Sequence, residues 1–236
     1  MSENIKKIKK AFKVDLDSRE NQSIILKPSA RHFNNQAHQI NEMPAKIAEK
    51  IYNLIKDAKH PNDDIILNHN KIKKAFFSPF KPQLKSAQVF LSHSHADKNK
   101  ALKVKNYLES EPNHRVFIDS LFWDYKDDVL NKLAKYDNTS KIKDAFTLIL
   151  RESLQDVIEK CPYFVFPESK NSVSNQGLSC ITYSAWIYEE LKIAHSIRES
   201  RPTPMMESWQ VFHNISPFLE SLETITLKKL SRIINS

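Results

Sequence analysis

The chain has 236 residues, 40% hydrophobic and 27% charged, with a formal net charge of +8, a make-up that suits one globular domain plus an appendage. Its single glycine, Gly177, excludes a Gly-rich dinucleotide fingerprint and a P-loop, which need several glycines for close backbone approach to phosphate. Two cysteines, Cys161 and Cys180, make neither a disulfide framework nor a four-ligand zinc site. No apolar run approaches the roughly 18 residues of a membrane span, and Met1–Lys10 lacks a signal peptide's apolar core. The expectation is a cytoplasmic protein with no membrane partner.

In chain order, Ile5, Ile8 and Phe12 stand at helical spacing. Residues 15–42 are polar apart from Ile24–Leu26. Residues 44–58 predict a helix with the stripe Ile47, Ile51, Leu54 and Ile55, and a further helical segment covers about 63–77. Pro79 and Pro82 then punctuate the chain. Residues 1–85 hold 17 Lys and Arg against 9 Asp and Glu, and the remainder holds 19 of each. The charge asymmetry puts a boundary near 85, between a basic, mostly helical extension (1–85) and a second domain (86–236). A solvated basic face outweighs nucleic acid as the reading of 1–85, since the segment carries no known nucleic-acid-binding motif.

From residue 86 the pattern becomes strand–helix alternation. Ala87–Leu91 reads as a buried strand, and Asp97 as the cap of a helix carrying Ala101, Leu102, Val104 and Leu108. Val116–Ile118 reads as a strand, 126–136 and 141–159 as helices, Tyr163–Phe166 as a third strand and 184–199 as a helix. Gln210–Phe212 is expected as a last core strand and 226–234 as a closing helix. Such alternation predicts a parallel sheet flanked by helices. Ligands of such sheets bind beyond the strands' carboxyl ends, here the segments Ser92–Asp97, Ser120–Tyr125 and Pro167–Tyr183.

Three constellations lie there. Ser92-His93-Ser94-His95-Ala96-Asp97 offers hydrogen-bond donors for a ligand; His93, His95 and Asp97 are also a possible metal-ligand set. The ligand loop is the preferred reading, a bare capped turn the next and metal the third. The aromatic stretch Phe122, Trp123 and Tyr125, expected in a loop, offers stacking surface for a base or nicotinamide ring. Trp186 and Glu190 stand i and i+4 on a helix and share a face, while Glu189 points elsewhere. Taken alone, Trp186 as core and Glu190 as an exposed carboxylate is the plainer reading.

Four segments, in order, resemble a bacterial TIR (Toll/interleukin-1 receptor) domain: Val89–Lys98, Val116–Ser120 with Trp123 and Tyr125, Tyr163–Ser169, and Thr182–Leu191 with its Ser-x-Trp-x-x-x-Glu-Leu pattern. The likeness covers about residues 86–215. It implies a flavodoxin-like sheet and an enzyme cleaving NAD+ between nicotinamide and ribose, with Glu190 catalytic. It places Ser92, His93, Ser94, Asp119, Ser120, Trp123, Tyr125 and Trp186 around the substrate. NAD+ is then substrate, and neither a cofactor nor a metal is expected. The family further implies a homo-oligomer, a separate effector that reads the product, and a phage-derived trigger, as in Thoeris-type anti-phage defence. Two other readings stand beside this one: a non-catalytic TIR adaptor, and a metal-dependent hydrolase built on His93, His95 and Asp97.

Overall fold

The computed structural model describes residues 10–27, 43–56, 69–111, 114–134, 140–176, 179–196 and 213–235. They fall into two compact units. The first takes in residues up to 30, 86–120 and 155–236; the second takes in 31–85 and 121–154.

The first unit is built on a five-stranded sheet. In chain order it contains β1 (Lys10–Asp15), α1 (Arg19–Ile25), β2 (Val89–Leu91), α5 (Lys98–Leu108) and β3 (Val116–Ile118). After these come β4 (Tyr163–Glu168), a three-stranded antiparallel sheet of β5 (Ser174–Gln176), β6 (Ser179–Thr182) and β7 (His213–Asn214), and α8 (Ala185–Ser196). The unit closes with α9 (Ser216–Glu220), β8 (Glu223–Thr224) and α10 (Leu227–Asn235). The main sheet runs β3-β2-β4-β1-β8, and every neighbouring pair is parallel. Val-Phe-Leu, Val-Phe-Ile and Tyr-Phe-Val-Phe are continuous apolar runs, as strands covered on both faces require. Phe90 lies between Phe117 and Phe164, its ring centroid 6.0 and 5.8 Å from theirs. Helices flank the sheet. α5 turns Ala101, Val104 and Leu108 inward, and α10 turns in Leu227, Leu230 and Ile234.

Residues 10–15 form a strand, where the spacing of Ile5, Ile8 and Phe12 predicts a helix. β1 pairs with β4 along its whole length and with β8 at Phe12 and Lys13. Phe12 and Val14 are fully buried and Leu16 nearly so. Ala11 is buried too, as in a strand covered on both faces, and pairing with the ladder edge of β4 decides the strand over local propensity. Helix α1 follows, with Ser18 as its N-cap accepting from the Asn21 N–H. The buried Asn21 side chain joins both ends of the unit: its amide donates to the Asp15 carbonyl and its oxygen accepts from the Leu227 N–H. The expected strand Gln210–Phe212 lies outside the described residues.

The second unit is helical. It holds α2 (Met43–Lys56), α3 (His69–Phe77), α4 (Lys81–Ser86, through Lys85), most of α6 (Asp119–Leu133, from Leu121) and the front of α7 (Ser140–Lys160, to Leu154). Its core joins Ile47 and Ile51 of α2, Ile72 and Phe76 of α3, Phe80, and Tyr125 and Val129 of α6. Tyr125 takes the edges of Phe76 and Phe80, with centroids at 5.1 and 4.9 Å.

Candidate functional site

The carboxyl ends of β3, β2 and β4, three neighbouring parallel strands, bring the first constellation together. β2 runs out at Ser92, whose N–H still donates to the Val165 carbonyl of β4 at 3.0 Å. Its hydroxyl donates to Oε2 of Glu190. Helix α8 starts where the Ser184 hydroxyl accepts the Ile187 N–H at 3.3 Å. Its buried face is Ile187, Glu190, Leu191, Ile193 and Ala194. Glu190 is thus a carboxylate in the middle of an apolar stripe and has no exposed surface, in contrast to an exposed helix carboxylate. Trp186, one turn earlier, is half-buried and so sits at the margin of that face. Glu189 turns aside toward Lys192, at 4.0 Å.

The next residue reaches the other neighbour strand. The His93 N–H donates to Oδ2 of Asp119 at 3.3 Å, and its ring Nδ1 pairs with Oδ1 of the same carboxylate. Asp119 begins α6 directly after β3. His93, Asp119 and Ser120 are all buried.

A third group ties β2 to β4. Asp97, 1% exposed, stands at the N-cap position of α5 yet makes no cap hydrogen bond with its side chain. Its carboxylate accepts from Ser94 Oγ at 3.1 Å, from Asn171 Nδ2 at 2.9 Å and from Ser169 Oγ. Lys100 stands 3.6 Å from Asp97 and 3.5 Å from Asp17, beyond the end of β1. Burial pushes the Asp97 carboxyl up, but these hydrogen bonds and Lys100 outweigh it and hold the carboxyl below its ordinary value. Asn171 and Asp17 are partners that sequence reading missed. The signal present was a polar run, Ser169–Ser172, directly after an apolar strand.

Residues 120–125 form the first turns of α6, where a loop was expected. Trp123 is on that helix, in the second unit, and its side chain lies outside the described residues. Tyr125 is core of the second unit, with no exposed wall to offer a ring. Pro167–Tyr183, expected as a loop, carries the end of β4 and the hairpin β5–β6. The candidate metal set is pulled apart: His93 faces Asp119, Asp97 faces Ser169 and Asn171, and His95 is exposed. Among the described residues, no three of His, Cys, Asp and Glu are grouped to hold a metal ion. Nor is any helix among them long and apolar enough to cross a membrane.

Comparison of the chain with protein-family models, curated proteins and solved structures finds no match.

The arrangement can do specific chemistry. A carboxylate out of water interacts strongly with any positive charge that develops beside it. A His–Asp pair fixes one imidazole tautomer. All of these groups are closed over, so a substrate meets them only when the covering elements part.

Proposed function

We propose that the protein is a TIR-type enzyme that cleaves NAD+ at the bond between nicotinamide and ribose, with Glu190 as the catalytic carboxylate. The observation that carries this reading is Glu190 itself: a buried carboxylate on an apolar helix face, hydrogen-bonded to Ser92 at the carboxyl end of a parallel strand. Burying a carboxylate is costly, and a Leu would complete the stripe better. A fold keeps such a group where chemistry needs it. The strand order β3-β2-β4 also supports a flavodoxin-like sheet, with successors on both sides of a first strand and a ligand crevice at that switch point. Here β1, from ahead of that first strand, fills the fourth place.

In this reading the C1′–nitrogen bond breaks toward an oxocarbenium-like transition state. Glu190 stabilises the growing charge on the ribose, and nicotinamide leaves as a neutral group, so one carboxylate suffices. Ser92 orients Glu190, while Ser94, Ser120 and Trp186 belong to the substrate surroundings. The product serves a separate effector in anti-phage defence, and a phage-derived trigger with self-assembly opens the site.

The closure of the site favours a second reading, a non-catalytic TIR adaptor that works through assembly. One experiment separates the two. The full chain is incubated with NAD+, with and without phage lysate, and nicotinamide and ADP-ribosyl products are followed by mass spectrometry. The enzyme reading expects turnover that falls about 10²-fold or more in Glu190→Gln, with Glu189→Gln far less affected. Absence of turnover under both conditions favours the adaptor.

A further inference from the structure

We propose, resting on the Glu190 reading, that His93 is the base that takes the proton of the acceptor in this reaction, with Asp119 as its positioning residue. The sequence alone offered His93 as a generic ligand contact. The structure gives it a specific arrangement.

Both oxygens of Asp119 face His93: Oδ2 accepts its backbone N–H, and Oδ1 lies against Nδ1. A ring nitrogen held against a carboxylate oxygen carries the proton, because two lone pairs would repel. Nδ1 is therefore a protonated nitrogen, and in the neutral ring the lone pair is on Nε2. That Nε2 atom is buried with no hydrogen-bond partner among the described residues, as is the hydroxyl of Ser120. A buried polar atom with no partner is destabilising, and proteins seldom retain one without a use. A ring that served only to join β2 to β3 would not need a free basic nitrogen. His93 also directly follows Ser92, the residue bound to Glu190, so both groups sit at the end of one strand. An oriented base together with a separate charge-stabilising group is the division of labour that a displacement at C1′ requires.

The ribose C1′–nitrogen bond breaks, and its electron pair leaves on nicotinamide. A lone pair of the acceptor oxygen, from water in simple hydrolysis, forms the new C1′–O bond. The acceptor's proton passes to Nε2 of His93 and later to solvent.

Azide tests this, because it is an anionic acceptor with no proton to lose and so needs no base. The full-length wild type, His93→Gln, Asp119→Asn and Glu190→Gln are compared with NAD+, with and without phage lysate, in water and with added sodium azide. Nicotinamide release, ADP-ribose and ribosyl azide product are measured, with circular dichroism to check folding. The expectation for His93→Gln is hydrolysis lowered about 10²-fold or more, with KM little changed and azide capture near the wild-type rate. Asp119→Asn, which favours the wrong tautomer, should lose hydrolysis in the same way and keep azide capture. Glu190→Gln should lose both. A folded His93→Gln that hydrolyses NAD+ at the wild-type rate, or that loses both reactions together, overturns the proposal. If His93→Gln does not fold, Asp119→Asn decides by the same two rates. A wild type that releases no nicotinamide either with or without phage lysate overturns the Glu190 reading and this proposal together, a result distinct from a working wild type with an indifferent His93.

Discussion

Replacing Asp97 should loosen the first unit more than any catalytic substitution. Asp97→Ala deletes an acceptor that takes hydrogen bonds from Ser94, Ser169 and Asn171 and faces Lys100 at 3.6 Å. Hydrogen bonds to a charged acceptor are worth about 1.5–3 kcal/mol each. They do not add fully, since serine hydroxyls rotate to other acceptors and neighbouring sites couple. Lys100 is partly exposed, so its screened charge adds little. A total loss of about 3–5 kcal/mol is expected, as for breaking a buried charged network. That is a large share of the roughly 5–15 kcal/mol that ordinary domains have. Asp97→Asn keeps the shape and isolates the charge. Because the folded carboxyl is held below its ordinary value of 3.8, the ionised form stabilises the fold above that pH. This contribution is lost as pH falls through the folded value. Urea unfolding from about pH 7 down to about pH 3 should therefore show a steeper acid loss in wild type than in Asp97→Asn. Equal stability of Asp97→Ala and wild type at pH 7, or parallel pH curves for Asp97→Asn and wild type, would refute the reasoning.

Other substitutions test other parts of the structure. Tyr125→Phe removes a buried hydroxyl with no partner among the described residues, whose pKa burial drives far up; thermal unfolding should show no loss and a gain up to about 1–3 kcal/mol. Phe12→Ala should cost about 3–5 kcal/mol, because the ring is fully buried in the sheet, and a cost near zero would argue against β1. The isolated 86–236 fragment, which lacks β1 between β4 and β8, should not give a cooperative unfolding transition. Glu190→Gln should keep wild-type stability or exceed it while NAD+ turnover falls; loss of both would make Glu190 a structural group.

Much of the sheet was legible in the sequence. Val89–Leu91, Val116–Ile118 and Tyr163–Phe166 are apolar runs without helical period, and strands buried on both faces need such runs. The helices over 98–108 and 185–196 carry their own spacing and end signals. The clustering of Ser92, His93, Asp97 and Asp119 near strand ends also followed from alternation alone, because parallel strands leave their carboxyl ends on one side. Other features depended on partners remote in sequence. Lys10–Asp15 is a strand because the edge of β4, some 150 residues later, supplies its hydrogen bonds. Tyr125 is core because Phe76 and Phe80 meet it. Asp97, by local rule a helix cap, turns instead to Ser169 and Asn171. Glu190 follows the same logic: its type and spacing are local facts, but its burial beside Ser92 is set by how α8 meets the sheet. Local propensity is worth tenths of a kcal/mol per residue, whereas burial and a satisfied buried network are worth several, so where the two conflicted the tertiary structure decided.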